Sequence, residues 1–142
     1  MPTDHFSTTT SLATPPADVH AFLSDPHSYV GLAPLVVEVR DIRVTGASTR
    51  YVAVERFRFG PFHWDNAIDV TMTFPTPLEV VSSVRSPGWV RLTSTVTLTP
   101  TEAGCTLVES VELHTPWFLR SYALRKAREA QAGRITGLQS RF

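Results

Sequence analysis

Two glutamates, Glu55 and Glu109, occupy apolar positions of predicted β-strands, where a carboxylate is unexpected. The residues two before and two after each are apolar: Ala53 and Phe57 around Glu55, and Leu107 and Val111 around Glu109. A carboxylate in such surroundings finds a partner or keeps its proton to a higher pH than usual. A carboxyl group of this kind can act as general acid or base in enolisation, aldol cyclisation or dehydration. The alternative is structural: a bulge that turns the side chain outward, or a hydrogen bond such as one between Glu55 and Asn66.

Other residues could hold a ligand beside these two carboxyl groups. Asn66, Ser82 and Ser94 could orient a hydroxyl or carbonyl group, or could simply bind water within the sheet. The candidates for contact with a flat or apolar ligand are Phe57, Phe59, Trp64, Met72, Trp89, Trp117 and Tyr122. Each of these could instead fill a core.

The sequence offers no pattern for a metal or for nucleophilic catalysis. The histidines lack the paired spacing of a metal site, and the single cysteine, Cys105, can form neither an internal disulfide nor a cysteine-based metal site. No nucleophile elbow accompanies a Ser-His-Asp set. We therefore expect no metal and no cofactor.

Composition limits the class of protein. A chain of 142 residues predicts one domain, over residues 1–142. Hydrophobic residues make up 42% and charged residues 18%, which excludes a disordered chain. Thirteen acidic residues balance thirteen Lys and Arg, so nucleic acid is not expected as the main partner. Without a leader-like pattern or an apolar run long enough to span a membrane, we expect a cytoplasmic protein.

Local patterns predict the order of the elements. Alternation over residues 6–13 predicts a strand, and Thr14 with Pro15 predicts the start of a helix that ends at Asp25-Pro26, followed by a second short helix over 26–32. Alternating segments separated by short turns then predict an antiparallel meander. Its strands are 36–45, 50–59, 62–74, 78–86, 89–99 and 105–115.

Side-chain parity predicts the register of the central strands. Arg56 and Arg58 must face water, so the odd-numbered residues of strand 50–59 face inward. A two-residue turn at Gly60-Pro61 then places Phe57 opposite Trp64, and Glu55 opposite Asn66. In strand 36–45 the parity changes midway, which predicts a β-bulge near Arg40-Asp41.

From Thr115-Pro116 the period changes to that of a helix, and this helix is the longest element. We expect Thr115 to cap it and Gly133 and Gly137 to kink or fray its last turns. Its basic residues predict a solvated face, with contact to anionic lipid or RNA as the alternative: Arg120, Arg125, Lys126, Arg128, Arg134 and Arg141. A curved sheet covered by one helix leaves room for a cavity.

This order of elements resembles the helix-grip fold, an α+β architecture in which a seven-stranded curved antiparallel sheet wraps around a long C-terminal helix. The residues that carry the resemblance are Pro15 to Val19, Phe22-Leu23, Asp25-Pro26, Tyr29, Pro34, Pro87-Gly88, Thr99-Pro100, Gly104 to Leu107 and Thr115-Pro116. The family resembled is the START/Bet v 1-like (SRPBCC) superfamily, in its polyketide cyclase/dehydrase and lipid-transport branch. The resemblance implies a hydrophobic ligand and supplies no universal catalytic residue.

Three functions follow as hypotheses. The first is binding of a lipid, quinone or polyketide-like molecule between the sheet and the last helix. The second is a polyketide cyclase/dehydrase in which Glu55 or Glu109 moves protons. The third is a macromolecular interaction module whose cavity is filled by aromatic side chains. A homodimer through an unpaired edge strand is a further alternative.

Overall fold

The computed structural model describes residues 2–142, apart from the side chain of Phe59. Over this range the alternating segments form seven strands: β1 (Thr3–Leu12), β2 (Val36–Thr45), β3 (Ser48–Phe59), β4 (Phe62–Thr73), β5 (Glu79–Ser86), β6 (Val90–Pro100) and β7 (Cys105–His114). They pair into one antiparallel sheet in the order β1-β7-β6-β5-β4-β3-β2. Consecutive strands from β2 to β7 are neighbours because their connections are too short for crossovers.

Three helices and two 3₁₀ turns complete the chain as described. They are α1 (Pro16–Ser24), a 3₁₀ turn (Pro26–Ser28), α2 (Tyr29–Leu32), a second 3₁₀ turn (Trp117–Leu119) and α3 (Arg120–Arg141). The predicted order of one strand, two short helices, six strands and one long helix is confirmed. None of the helices within residues 2–142 is long and apolar enough to cross a membrane.

The predicted helix caps are wrong. Pro15 and Pro116 have ψ near 145°, so each stands outside its helix in an extended conformation, and no side chain caps either start. The Oγ1 of Thr115 is buried without a hydrogen-bond partner among the described residues. The long helix α3 therefore begins only at Arg120, after a 3₁₀ turn.

The predicted register is confirmed. Phe57 pairs with Trp64 and Glu55 with Asn66 across the β3–β4 hairpin. The register between β2 and β3 shifts between Arg40 and Arg43, where Asp41 has a φ of 54°. This irregularity is the predicted bulge, and it lets both halves of β2 turn apolar residues toward the core.

Helix α3 continues to Arg141 without the kink or fraying that its two glycines predict. The glycines instead allow a close approach, since Gly133 faces the ring of Pro34 and Gly137 faces Leu32. A Cβ at Gly133 would overlap Pro34 Cγ, whereas one at Gly137 would lie 2.9 Å from the tip of Leu32. Tertiary packing thus offsets the low helix propensity of glycine.

We expect Gly133→Ala to be less stable than Gly137→Ala by about 1–2 kcal/mol, because the rigid Pro34 ring yields less easily than the flexible Leu32 side chain. Both substitutions raise helix propensity equally, so this gain cancels in the comparison. Urea unfolding of the two variants measures the difference. Equal stability would show that Gly133 is not needed for the approach of Pro34.

Candidate ligand-binding site

A cavity in two adjoining chambers lies between the concave face of the sheet and α3. The inner chamber has a volume of about 130 Å³ and the outer chamber about 350 Å³. The residues that line both are Leu35, Glu55, Ile68, Val84, Leu92, Ala130 and Arg134. The outer chamber lies in the size range of small-molecule sites, which is roughly 300–1,000 Å³.

The walls of both chambers are mainly apolar, with few polar groups. In the inner chamber Tyr29 stacks on Tyr51 at a centroid distance of 6.4 Å, and its hydroxyl donates to the backbone oxygen of Leu23 at 2.7 Å. Burial raises the pKa of both tyrosines far above the usual range, so both stay neutral hydrogen-bond donors. Ser82 and Ser94 add hydroxyl groups to the same wall.

A buried ion pair lies on the cavity wall. Arg134 of α3 donates from Nη2 to Oε1 of Glu109 on β7 at 2.6 Å, and their side chains are only 20% and 10% exposed. The neighbouring Gln131 donates from Nε2 to the backbone oxygen of Glu109 at 3.3 Å. Two side chains of one helix face thus fix Glu109, which holds a charged group in a mainly apolar cavity.

Glu55 is the second carboxyl group of the cavity and the one that borders both chambers. Its half-buried position on β3 raises its pKa, and the positive charge of Arg134 only partly opposes this effect. Because its pKa is raised, Glu55 keeps its proton to a higher pH than an exposed glutamate does. A carboxyl group of this kind can donate or accept a proton inside the cavity.

Glu55→Gln should change how stability depends on pH. A carboxyl group with a higher pKa in the folded than in the unfolded state holds more protons when folded, so it lowers the unfolding free energy as the pH rises. This loss begins near the ordinary glutamate pKa of 4.5 and ends above the raised pKa of Glu55. Relative to the wild type, the variant should therefore gain stability between about pH 4 and about pH 8.

Urea unfolding at the two pH values measures this gain. Glu102→Gln, at an exposed position in the turn between β6 and β7, is the matched control and should keep the wild-type pH dependence. The same pH dependence in Glu55→Gln as in the wild type would show that Glu55 titrates as an ordinary surface group.

The structure brings six of the predicted ligand contacts to the cavity. Phe57, Trp64, Asn66 and Tyr122 line the outer chamber, and Ser82 and Ser94 line the inner one. Phe57 and Trp64 stack with their centroids 5.5 Å apart, so together they form one flat wall. Whether these side chains touch a ligand stays a prediction. Phe59 lies outside the described side chains.

Three of the predicted contacts lie away from the cavity. Met72 faces inward, as its parity predicts, but it is fully buried in the core, where Tyr29 Oη approaches its Sδ at 4.0 Å. Trp89 lies in the β5–β6 turn, one residue before β6 begins, with a φ of 61°. Trp117 lies in the 3₁₀ turn before α3. Strand and helix periodicity do not apply at these two turn positions, and both side chains are exposed.

The sequence interpretation missed Arg134, which it placed on a solvated basic face. That assignment is wrong for this residue, because Arg134 turns toward Glu109 and lines both chambers. The spacing of Arg134 could have indicated this position. Arg134 follows Ala130 by four residues and Gln131 by three, so all three share one helix face. Tyr29 was likewise missed as a cavity residue.

No protein-family model matches this chain, and no curated protein is significantly similar to it in sequence. Its fold, in contrast, matches several solved structures. The Zhui aromatase/cyclase from Streptomyces sp. R1128 is 13% identical, with a TM-score of 0.82 over 98% of this chain and 93% of that protein. The di-domain ARO/CYC StfQ from the steffimycin biosynthetic pathway is 12% identical, with a TM-score of 0.76 over 97% of this chain and 50% of StfQ.

A third match is Ara h 8.0201, 12% identical with a TM-score of 0.70 over 98% of this chain and 99% of that one. At these identities the comparisons establish the fold alone. The agreement covers nearly the whole chain and includes the curved sheet and the long last helix. The chain therefore has the helix-grip α+β fold, as its order of elements predicts.

Proposed function

We propose that this chain binds a largely apolar small molecule with one polar end, such as a lipid, a quinone or a polyketide-like compound, between its sheet and α3. The observation that carries this proposal is the Glu109–Arg134 pair beside Glu55 in a mainly apolar cavity. The apolar walls remove hydrocarbon or aromatic surface from water. The charged centre and the nearby hydroxyl groups can hold a carbonyl or hydroxyl group of the ligand.

The open volume supports binding over an interaction module with a filled cavity. Such a module requires aromatic side chains to occupy the space under α3. Phe57 and Trp64 instead stack on each other and form a wall of the outer chamber. Met72 lies in the core and leaves the chambers open.

Native mass spectrometry of the protein purified from its own host tests the proposal. We expect a mass above that of the chain alone, and denaturing analysis should release an apolar compound that names the ligand class. A clean unliganded mass, together with no thermal shift across a panel of lipids, quinones and polyketide-like compounds, would contradict the proposal.

A second candidate function is a polyketide cyclase/dehydrase. The specific observation in its favour is Glu55, whose pKa is raised by burial and which borders both chambers beside Arg134. As general base it would remove a proton α to a carbonyl group, while Arg134 would stabilise the resulting enolate. Two of the three structures of similar fold described above, Zhui and StfQ, are aromatase/cyclases by name, which supports this candidate.

The enzyme and the carrier differ in what Glu55→Gln does. With an enzyme, the variant should still bind the compound found by mass spectrometry but should no longer convert it, as followed by liquid chromatography. With a carrier, neither protein converts the compound. Conversion by Glu55→Gln at the wild-type rate would remove Glu55 from the mechanism.

A further inference from the structure

Exposed aromatic side chains gather at one end of the molecule, where they form a surface that we call the aromatic rim. Its members are Phe62, Trp64, Trp89, Trp117, Phe118 and Tyr122, with 45% to 79% of each exposed. Single exposed apolar residues are common on soluble proteins and need no explanation. Six aromatic residues on separate segments at one end suggest a surface that contacts an apolar phase.

The topology brings these segments together. In an antiparallel meander alternate turns lie at the same edge, so the β3–β4 turn, the β5–β6 turn and the end of β7 share one end of the sheet. The β5–β6 turn also contacts the start of the helical region, since a Cβ at Gly88 would lie 3.4 Å from Leu119 Cδ1. Trp117 and Phe118 pack edge to face beside it, with centroids 5.9 Å apart.

The aromatic rim adjoins the outer chamber. Trp64 and Tyr122 belong to the rim and also line that chamber. Pro87 and Leu119 line it too, and they lie next to the exposed turns that carry Trp89 and Phe118. A partner that covers the rim therefore also lies against residues that line the outer chamber.

Positive charge accompanies the aromatic rim. Arg91, beside Trp89, lies between Arg85 and His114 on the neighbouring strands, so three basic side chains stand in a row on the outer face of the sheet. Arg58 lies near the β3–β4 turn and Arg125 near Tyr122. Among the described residues, none of Arg58, Arg91 and Arg125 has an acidic partner within 4.0 Å.

Three of the acidic groups near the rim have basic partners, while Asp69 lies opposite Arg85 on the neighbouring strand. Asp65 accepts from Arg56 at 2.8 Å, and Asp4 accepts from Arg120 at 2.8 Å. Glu112 contacts His114 at 2.6 Å. With Asp69 set against Arg85, the three arginines Arg58, Arg91 and Arg125 leave a surplus of positive charge around the aromatic rim, which is complementary to an anionic partner.

We infer that this end of the molecule docks on an anionic lipid bilayer, with the aromatic rim in the interfacial layer and the cavity mouth facing the lipid. Trp, Tyr and Phe favour the boundary between headgroups and acyl chains, and arginines favour anionic headgroups. A rigid protein partner would leave a void over the open mouth of the outer chamber. Fluid acyl chains can fill such a surface, and an apolar ligand could then enter without crossing water.

Flotation and fluorescence with defined vesicles test this inference. We expect the protein to float with phosphatidylcholine vesicles that contain phosphatidylglycerol, and to float less without that lipid or at high salt. All three tryptophans of the chain belong to the aromatic rim, so brominated phosphatidylcholine in the anionic vesicles should quench its intrinsic fluorescence.

Matched variants distinguish the contribution of the tryptophans to vesicle binding from that of the arginines. Trp89→Ser combined with Trp117→Ser should weaken vesicle binding roughly tenfold or more, because both side chains would lose their place in the interface. Arg91→Gln should weaken binding to the anionic vesicles only. Val44→Ser is the control, since Val44 is 74% exposed at the opposite end, near the β2–β3 turn, and its loss should change nothing.

Three results would overturn the inference: no flotation with anionic vesicles, unchanged flotation of the double tryptophan variant, or no quenching by brominated lipid. If the wild type does not float but forms dimers, and the double tryptophan variant does not form them, the rim binds a second copy of the chain.

Docking needs no occupied cavity, so a variant with a blocked cavity, Ala130→Phe, should still float. This separates failure of docking from failure of ligand binding.

Discussion

Arg134→Met should lower the free energy of unfolding by about 3 kcal/mol, as expected when a buried ion pair loses one partner. The substitution removes the guanidinium that contacts Glu109 at 2.6 Å and leaves a carboxylate that is only 10% exposed without its cation. Methionine fills a similar length of the cavity wall, so the loss is electrostatic more than steric. Chemical denaturation of the variant and the wild type at pH 7 measures it.

Substitution of the other partner of the ion pair should lower the free energy of unfolding by less. In Glu109→Gln the cation of Arg134 remains, but Arg134 is 20% exposed and also borders the open outer chamber, where water can solvate it. We expect a loss of about 1–2 kcal/mol, the usual effect of weakening one charged hydrogen bond. The double variant Arg134→Met with Glu109→Gln should be more stable than Arg134→Met alone, because no unpaired charge is left.

A substitution of a surface arginine on the same helix is the control for Arg134→Met. Arg125 lies on the exposed side of the same helix, over the ring of Tyr122 at 5.6 Å. Arg125→Met should change stability by less than about 0.5–1 kcal/mol. Equal losses for Arg125→Met and Arg134→Met would show that the Glu109–Arg134 pair contributes no more than a surface contact.

The register of the sheet could be predicted because it depends on local rules. Side chains alternate along each strand, and a two-residue turn leaves only one pairing that keeps both apolar sets on one face. These two rules suffice to place Glu55 opposite Asn66 and Phe57 opposite Trp64. They also give the inward orientation of Glu55 and Glu109.

The place of Arg134 on the side of α3 that faces the sheet could not be predicted in the same way. The side of α3 that faces the sheet carries Gln131 and Arg134 beside apolar residues such as Leu138, so its polar pattern does not mark an inside and an outside. What fixes this place is long-range: the bond from Arg134 to Glu109, and the close approach of Gly133 to Pro34. Trp89 and Trp117 were misplaced for a related reason, since turn residues follow no periodicity.

Ala130→Phe should weaken binding of an apolar probe about 100-fold, equivalent to about 2.8 kcal/mol, while the protein stays folded. Ala130 lies on α3 where the two chambers adjoin and borders both of them. A phenyl group there takes up space that a ligand needs, beside an inner chamber of only about 130 Å³. Filling apolar space in this way leaves stability unchanged or raises it by about 0.5–2 kcal/mol.

Titration with the fluorescent dye 1-anilinonaphthalene-8-sulfonate measures the loss of affinity, and thermal unfolding checks that the variant is folded. Ala132→Phe is the matched control, because Ala132 is exposed two residues further along the same helix. The control should bind the dye as the wild type does. Wild-type affinity in both variants would place the dye outside the cavity, whereas loss in both would show a general effect of an added aromatic ring on α3. Loss in Ala130→Phe alone would place the binding site between the sheet and α3, where Glu55 and Arg134 line both chambers.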